Sequence, residues 1–365
     1  GMSVAMIESR DLGGTCPNRG CTPKKILVAA GHALHEIERA HVHRITVGKP
    51  KLDWAALIDR EKEMIREIPE SLARSMARRA VEVIKGHAAF ASPHTIRVGE
   101  RTLEAKHIVI ATGSRPRPLP IPGAEHMITS DEMLDERKLP DSVIFVGGGV
   151  ISLEFGHVYA RAGVDVTILE ALPQLLPAMD ADAVAQLRAE SERIGIRLRT
   201  GVSVNRIEPA GGRFRVTFVH DGREQALEAS RIVNGAGRIA NLDGLDLEAG
   251  NVAQNNSRIA IDAHLRSTSN PLVHVCGDAV PTSPQLSPIA TYEGDIVGRN
   301  IVEGPKYSPD YANMATSVYT VPSLAAVGLT ESVVRQKGIA ADVHVNDMLG
   351  WFSARTYAET VAWSK

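Results

Sequence analysis

The chain has 365 residues, of which 44% are hydrophobic and 23% charged, and its formal net charge is −2. This length allows two or three domains that each bury a core, and the composition is typical of a soluble globular protein. The balanced charge argues against a nucleic-acid-binding protein, which normally carries a basic stripe, and no apolar run is long enough to span a membrane.

The first half of the chain alternates short apolar runs with helical patterns. In chain order it is predicted to form a strand at residues 3–8, helices at 26–40 and 54–84, and strands at 95–98 and 108–113. The long helix is interrupted near Pro69, because proline cannot continue a helix ladder. Prolines at alternate positions from 116 to 122 then form a stiff crossover, which indicates a domain boundary.

Two cysteines, Cys16 and Cys21, lie five residues apart just before the first predicted helix. At that spacing they are within disulfide reach, and a helix N-terminus stabilises a thiolate, as in a redox-active pair. The sequence has no secretory pattern, which predicts a cytoplasmic protein whose paired thiols are catalytic. Two alternatives stay open, a structural disulfide and a metal site that recruits His32 and His35. The neighbouring lysines disfavour a cation, so no metal is predicted, and Cys276 is expected to be a core residue.

The second half begins with alternating strands and helices. In chain order it is predicted to form a strand at residues 143–146, a helix at 152–162, a strand at 164–170, a helix at 180–194, a hairpin around the Asp221-Gly222 turn and a strand at 272–277. Strand-helix-strand alternation indicates a parallel sheet. From about residue 307 the pattern changes again, which indicates the start of another domain.

A dinucleotide fingerprint, Gly147-x-Gly149-x-x-Ser152, stands between a predicted strand and a predicted helix. Gly147 permits the turn, Gly149 lets the backbone approach a pyrophosphate, and Ser152 is small enough for the helix to pack on the strand. The helix N-terminus offers N–H groups and a positive dipole end to the phosphates. Glu170 ends the next strand, 23 residues after Gly147, where an acid would bind an adenosine ribose. The alternative is a glycine turn in some other α/β protein.

Glu170 also predicts that the nicotinamide cofactor is NAD(H) rather than NADP(H). A carboxylate at this position accepts a hydrogen bond from a free 2′-hydroxyl and repels a 2′-phosphate. The residues that follow, ALPQLL at 171–176, contain no arginine that could bind such a phosphate.

These motifs together resemble those of the class I pyridine nucleotide-disulfide oxidoreductases, a family that includes glutathione reductase, dihydrolipoamide dehydrogenase and mercuric reductase. The resemblance runs over essentially the whole chain. Its most specific motif is GGTCPNRGCTPKK at residues 13–25. The other motifs follow in the family's order: ATG at residues 111–113, GAGR at 235–238, CGD at 276–278 and LSPIA at 286–290.

The resemblance implies an α/β protein with two Rossmann-like three-layer nucleotide-binding domains, one for FAD and one for NAD(P), and the start of an α+β dimerisation domain. It implies a homodimer that acts on a small disulfide or dithiol substrate, similar to glutathione or lipoamide. The predicted division is an FAD-binding domain at residues 1–121, an NAD(P)-binding domain at 122–245, a return segment of the FAD domain at 246–304 and the dimerisation domain at 305–365.

The same resemblance implies roles for individual residues. Lys25 and Glu154 would form the family's lysine-glutamate pair beside the flavin N5. Hydride would pass from the nicotinamide to the flavin, the reduced flavin would open the disulfide at Cys21, and Cys16 would attack the substrate disulfide. The implied cofactor contacts are Glu8, Gly14, Thr15, Thr112, Gly113, Gly237, Gly277 and Asp278 for the flavin and its surroundings, and Gly147, Gly149, Ser152 and Glu170 for the nicotinamide cofactor.

Two motifs of the family have no match in these 365 residues. The first Gly-x-Gly-x-x-Gly, which binds the FAD pyrophosphate, is expected before Ser3. The His-x-x-x-x-Glu pair that protonates the leaving thiol is expected after Lys365. His344 is not a substitute, because Leu349 stands where the glutamate would be.

The sequence does not select a subfamily. Lys24 is closer to bacterial glutathione reductases, whereas Glu170 and Val150 point towards dihydrolipoamide dehydrogenases. Two further functions stay open: a flavoprotein that passes electrons to quinones, metals or another nicotinamide, and a nucleotide-binding fragment without turnover.

Overall fold

The computed structural model describes residues 2–365, so Gly1, the first residue of the predicted FAD-binding domain, lies outside the described residues. Helices form where buried residues recur on one face, as Leu27, Gly31 and His35 do at every fourth position of α2 (Cys21–Arg39). The other helices are α1 (Thr15–Arg19), α3 (Trp54–Ile65), α4 (Ile68–Arg78), α5 (Ser130–Asp135), α6 (Val150–Arg161), α7 (Ala181–Arg193), α8 (Ser287–Glu303), α9 (Glu331–Gln336) and α10 (Phe352–Thr356). None of the helices within this range is both long and apolar enough to cross a membrane.

The strands are short and form small sheets. They are β1 (Val4–Glu8), β2 (Val81–Lys85), β3 (Ala88–Ser92), β4 (Thr95–Val98), β5 (Arg101–Glu104), β6 (Ile108–Ile110), β7 (Ser114–Pro116), β8 (Ser142–Val146), β9 (Asp165–Leu169), β10 (Arg197–Arg199), β11 (Ser203–Ala210), β12 (Arg213–His220), β13 (Arg223–Ala229), β14 (Arg231–Asn234), β15 (Arg238–Ala240), β16 (Gln254–Asn255), β17 (Arg258–Ile259), β18 (Val273–Val275), β19 (Ala315–Val318), β20 (Leu324–Val327), β21 (Asn346–Asp347) and β22 (Trp363–Ser364).

The chain folds into two compact units, and the first consists of the segment that ends at Cys21 together with Met64–Pro116 and Arg238–Tyr311. It contains two parallel strand pairs, β1 with β2 and β6 with β18. A three-stranded antiparallel sheet of β3, β4 and β5 belongs to the same unit. Its core combines Phe90 of that sheet with Val273 and Val275 of β18.

The second unit consists of Thr22–Glu63, Arg117–Gly237 and Ala312–Lys365. Its parallel sheet has the strand order β10-β9-β8-β14, and α6 and α7 connect neighbouring strands. Every residue of β8 is buried, as expected for a central strand of a parallel sheet covered on both faces. An antiparallel sheet, β11-β12-β13, completes the unit together with the short pairs β19-β20 and β21-β22.

The predicted α/β class is confirmed, and β12 and β13 form the predicted hairpin around Asp221-Gly222. The prediction of helix over residues 54–84 is wrong at its end, because residues 81–84 belong to β2. The β-branched side chains of that segment favour an extended backbone, and β2 pairs with β1 along its full length. The helix predicted from residue 26 begins earlier, at Cys21. The division into FAD, NAD(P) and dimerisation domains stays a prediction.

Candidate functional site

The two cysteines stand on either side of a glycine turn in the first unit. Cys16 lies in α1, and Cys21 is the first residue of α2. A Cβ added at Gly20 would lie 2.9 Å from the carbonyl oxygen of Thr15 and 3.1 Å from the Cα of Cys16. Only glycine allows the backbone to turn this closely against Cys16. Both cysteines are half-buried, whereas Cys276 is buried.

The loop before Cys16 is held by its own polar groups. Gly13 and Gly14 have φ values of +102° and +68°, which other residues rarely adopt. The Asn18 side chain donates hydrogen bonds to the carbonyl oxygens of Leu12 at 3.0 Å and Gly14 at 2.9 Å. A Cβ at Gly14 would contact nothing within 4 Å. Gly14 and Thr15, which the resemblance assigns to the cofactor, therefore border open space.

The alternative of a metal site is not supported by the positions of the described side chains. Among residues 2–365, no group of three or more His, Cys, Asp and Glu side chains is placed to hold a metal ion. His35 is buried, and its Nε2 accepts a hydrogen bond from Arg39 Nη1 at 2.8 Å.

Glu154 is buried in α6 of the second unit, and its ion-pair partner is Lys24 rather than Lys25. Its other carboxylate oxygen, Oε1, accepts a hydrogen bond from the backbone N–H of Tyr319 at 2.7 Å. The Lys25 ammonium lies over the Tyr319 ring, 4.5 Å from its centroid, and the Lys24 ammonium lies 4.8 Å from the same centroid. The expected Lys25–Glu154 pair is thus replaced by a Lys24–Glu154 pair.

The helical register explains this correction. Lys24 precedes Leu27 by three residues and Gly31 by seven, so it lies on the buried face of α2. A Cβ at Gly31 would lie 3.7 Å from Val158 of α6, which shows that this face packs on the helix that carries Glu154. Lys25, one position further on, is exposed.

The dinucleotide fingerprint lies at the carboxyl end of β8 in the second unit. A Cβ at Gly147 would lie 2.5 Å from the carbonyl atoms of Gly235, so the two loops approach in a way that only glycine allows. Ser152 is fully buried and donates a hydrogen bond to the Gly147 carbonyl at 2.5 Å. Gly149 precedes α6 and contributes no side-chain cap, so the N–H groups of this helix terminus are available to a phosphate.

Glu170 follows β9 directly and is buried beside the fingerprint loop. Its Oε2 accepts a hydrogen bond from the Gly148 N–H, and its Oε1 accepts one from the Leu172 N–H at 2.7 Å. Each carboxylate oxygen keeps a further lone pair for a hydroxyl donor. Glu170 thus has the acceptor capacity that a ribose contact requires.

Glu8 repeats this arrangement in the first unit. It is the last residue of β1, and its Oε1 accepts a hydrogen bond from the Arg10 N–H at 2.7 Å. In both units a carboxylate at the end of a parallel strand is oriented by the N–H two residues further on. The two predicted ribose ligands, Glu8 and Glu170, are therefore held by the same local hydrogen bond, from a backbone N–H two residues further on.

Asp278 and the ATG turn lie near each other in the first unit. One carboxylate oxygen of Asp278 accepts a hydrogen bond from Ser114 Oγ at 2.7 Å, and Arg238 Nε donates to the same hydroxyl at 2.8 Å. Asn241 donates its backbone N–H to the Gly113 carbonyl at 2.9 Å, and its side chain reaches the Thr112 carbonyl at 3.5 Å. The hydrogen bond from Ser114 orients one carboxylate oxygen of Asp278, and within residues 2–365 the second oxygen is open to a ligand.

The structure thus places the predicted residues in two sets. Glu8, Gly14, Thr15, the two cysteines, Thr112, Gly113, Gly277 and Asp278 lie in the first unit, and Lys25, Gly147, Gly149, Ser152, Glu154, Glu170 and Gly237 lie in the second. Sequence reasoning missed the roles of Lys24, Ser114 and Arg238. The signal for Lys24 was its helical spacing from Leu27, and Ser114 and Arg238 adjoin or end motifs that were quoted without a role for them.

Comparisons with known proteins agree with these motifs. The family described as "Pyridine nucleotide-disulphide oxidoreductase" matches residues 1–294. Dihydrolipoyl dehydrogenase of Bacillus subtilis is 30% identical over 356 residues, which cover 95% of this chain and 76% of that protein. Mercuric reductase of Lysinibacillus sphaericus is 30% identical over 341 residues, covering 93% of this chain and 62% of that protein.

A solved structure has the same fold. The HOCl-induced flavoprotein disulfide reductase RclA from Escherichia coli superposes with a TM-score of 0.85 at 27% identity, covering 99% of this chain and 80% of that chain. A chain with this fold thus carries the Cys16–Gly20–Cys21 turn, the glycine fingerprint and, in each unit, one carboxylate at a strand end, Glu8 or Glu170.

Proposed function

The chain belongs to the pyridine nucleotide-disulphide oxidoreductase family, and from that premise we propose that it works as an FAD-dependent, NADH-linked disulfide reductase with Cys16 and Cys21 as its redox pair. The substrate class is a small disulfide or dithiol. The observation that carries the proposal is the turn at Gly20, where an added Cβ would lie 3.1 Å from the Cα of Cys16, so only glycine lets the backbone turn this tightly between the two cysteines.

In the reduced state, Cys16 acts as the outer nucleophile and Cys21 as the resolving thiol. The Cys16 thiolate attacks one sulfur of the substrate disulfide, and the first substrate thiol leaves with a proton. Cys21 then attacks the mixed disulfide at Cys16, which releases the second thiol and leaves a Cys16–Cys21 disulfide. The start of α2, a helix of 19 residues, stabilises the Cys21 thiolate. Bound FAD supplies the hydride chemistry that returns the pair to the dithiol.

The residues present fit both nucleotides. In the first unit, Glu8 and the free oxygen of Asp278 offer acceptors to ribose and ribityl hydroxyls, and Gly14 borders open space. In the second unit, the uncapped terminus at Gly149 offers N–H donors to a pyrophosphate, and Glu170 offers acceptors to a ribose. The charge of Glu170 supports NADH over NADPH.

The proposal extends to the domains, the assembly and the location of the protein. FAD binding is assigned to residues 1–121 and 246–304, NAD(H) binding to 122–245 and dimerisation to 305–365. A homodimer is supported by large apolar side chains that are exposed in the last of these segments, among them Phe352 at 87%, Val327 at 65% and Trp351 at 59%. A redox-active thiol pair supports a cytoplasmic location, where thiols are kept reduced.

The test is an anaerobic absorption spectrum of the purified protein before and after one equivalent of NADH. An oxidised flavin spectrum that gains a long-wavelength band, from the Cys21 thiolate beside the flavin, is the expected result. No flavin after added FAD contradicts the proposal. The matched variant Cys16→Ser is expected to lose disulfide reduction and keep diaphorase activity. Equal disulfide reduction in the variant and the wild type would favour electron transfer to quinone, metal or nicotinamide acceptors instead.

A further inference from the structure

Glu293 is a fully buried carboxylate in the middle of α8, with 0% of its surface exposed. Its Oε2 accepts a hydrogen bond from the backbone N–H of Gly277 at 2.6 Å. Its Oε1 accepts a hydrogen bond from the Tyr311 hydroxyl at 2.6 Å. All three residues belong to the first unit. A carboxylate in the interior is retained only where such bonds offset the loss of water.

The Glu293 carboxylate helps to raise the pKa of two neighbouring groups, the Tyr311 hydroxyl and the Cys276 thiol. Burial, the hydrogen bond to Glu293 and its charge raise the pKa of Tyr311 well above the usual range, so its hydroxyl stays a donor. Burial, together with the charge of Glu293, raises the pKa of the Cys276 thiol to about 11. Cys276 therefore remains a neutral thiol beside the turn at neutral pH, and it does not compete for the Gly277 N–H.

The turn that Glu293 holds is tight and lies directly on α8. Residues Gly277–Ala279 form a 3₁₀ turn that receives no cap from the side chain of Cys276. Gly277 has a φ of +68°, and a Cβ there would lie 3.3 Å from the Cβ of Ala290. Glu293 stands three residues after Ala290 on the same helix, so α8 supplies both the surface under the turn and the acceptor for its first N–H.

Asp278 is the middle residue of this turn. Its carboxylate accepts a hydrogen bond from Ser114 Oγ at 2.7 Å, so one side of the residue is fixed through its side chain. The backbone is fixed one residue earlier, at the Cys276–Gly277 peptide group, whose N–H donates to Glu293 Oε2. The direction of the second oxygen of Asp278 therefore depends on Glu293.

We propose that Glu293 is the positioning residue of the flavin site: held by the Tyr311 hydroxyl, it fixes the Gly277 peptide and thereby aims the Asp278 carboxylate at the ribityl chain of FAD. This inference rests on the proposed function. It adds a carboxylate and a tyrosine that contact no cofactor in their own right and act through Asp278.

The test compares FAD dissociation constants, measured by reconstituting the deflavinated protein with FAD. Glu293→Leu removes the acceptor and is expected to raise the dissociation constant at least about tenfold, the usual effect of losing a hydrogen bond to a charged group. Glu293→Gln keeps one acceptor oxygen and is expected to stay within about threefold of the wild type. The matched control is Asn300→Leu, because Asn300 is also buried in α8 but holds the backbone of Tyr307.

A double-mutant cycle separates positioning from general loss of structure. In an Asp278→Ala background, Glu293→Leu is expected to have little further effect on FAD binding, because the residue it positions is gone. The same fold-change in both backgrounds would overturn the inference, and so would equal losses in Glu293→Leu and Asn300→Leu.

Two further outcomes are decisive. If Glu293→Leu does not fold, Tyr311→Phe serves as the second variant and is expected to weaken FAD binding about threefold. Tyr307→Phe is its control. Equal FAD dissociation constants for Tyr311→Phe and Tyr307→Phe would overturn the inference. If the wild-type protein takes up no FAD, the proposed function itself fails. If the wild type and Glu293→Leu bind FAD with the same dissociation constant, the proposed function stands and only the role of Glu293 is contradicted.

Discussion

Lys24, not its neighbour Lys25, neutralises the buried carboxylate of Glu154. The two lysines differ by one position on α2, which is a rotation of about 100° around the helix. Lys24 therefore lies on the face that packs on α6 and Lys25 on the exposed side of α2, and both ammonium groups reach the Tyr319 ring. This leaves the Lys25 ammonium without the carboxylate that the family resemblance assigns to it.

Replacing each lysine by methionine is expected to affect stability very differently. Lys24→Met leaves the Glu154 charge buried without its partner, which should lower the free energy of unfolding by about 3 kcal/mol. Lys25→Met removes an exposed charge and should cost less than about 1 kcal/mol. Urea unfolding of the two variants measures the difference. Equal losses would mean that Lys25 can take over the pairing.

Gly235→Ala is expected to destabilise the second unit. The added Cβ would lie 2.0 Å from Ser152 Oγ, and overpacking of this kind costs about 1–3 kcal/mol. Ser152→Ala removes the clashing hydroxyl, so the double variant should regain part of the loss in urea unfolding. An equal loss in the single and double variants would show that the clash is not with Ser152.

Glu170→Gln is expected to reduce the preference for NADH. The change removes the charge that repels a 2′-phosphate and weakens hydrogen bonds that a carboxylate makes well, so the ratio of kcat/KM for NADH to that for NADPH should fall at least about tenfold. Diaphorase assays with both cofactors measure this ratio. Glu208→Gln, which changes an exposed carboxylate of the same unit, should leave it unchanged. An unaltered ratio in Glu170→Gln would remove Glu170 from the cofactor site.

Acid is expected to weaken the folded state through His157. Its Nδ1 accepts a hydrogen bond from the Val321 N–H at 3.3 Å, and its Nε2 donates to Ser191 Oγ at 2.9 Å, which defines a neutral ring. Burial, with a further contribution from the charge of Arg161, lowers the pKa of His157 from 6.5 to about 3. Between these pH values the unfolded chain binds a proton that the folded chain does not, so stability falls as the pH falls.

The expected loss through this one group is about 1.4 kcal/mol per pH unit at most, or about 2 kcal/mol between pH 7 and pH 5. Urea unfolding at the two pH values measures it. In His157→Gln the loss should be smaller by about that amount. The same pH dependence in the variant and the wild type would mean that other groups are responsible.

The features that the sequence predicted well depend on short spacings. The fingerprint at Gly147, Gly149 and Ser152 needs only backbone geometry and one small side chain, and it lies between β8 and the first turn of α6 as predicted, whereas its role in nucleotide binding stays a prediction. The Asp221-Gly222 hairpin is likewise local, because its turn residues set the register of the strands that they join.

The features that the sequence did not predict depend on contacts between distant segments. The choice of Lys24 over Lys25 is made by the packing of α2 on α6, which brings together residues 130 positions apart. The spacing of Glu293 from Ile289 and Ile296 places it on the buried face of α8, but the turn 16 positions earlier to which it is hydrogen-bonded does not follow from that spacing. Residues 81–84 have a pattern that fits either a helix or a strand, and their pairing with β1 decides between them.

Glu8 and Glu170 carry a consequence for cofactor engineering and for evolution. Each carboxylate is already held by the backbone of its own loop, so under the proposed function it loses little conformational freedom when a nucleotide binds. The same bonds make each glutamate part of the loop's framework. Under the proposed function, a single substitution such as Glu170→Gln therefore lowers the preference for one nucleotide and loosens the loop at the same time, so a full exchange of cofactor also requires changes in the rest of the loop.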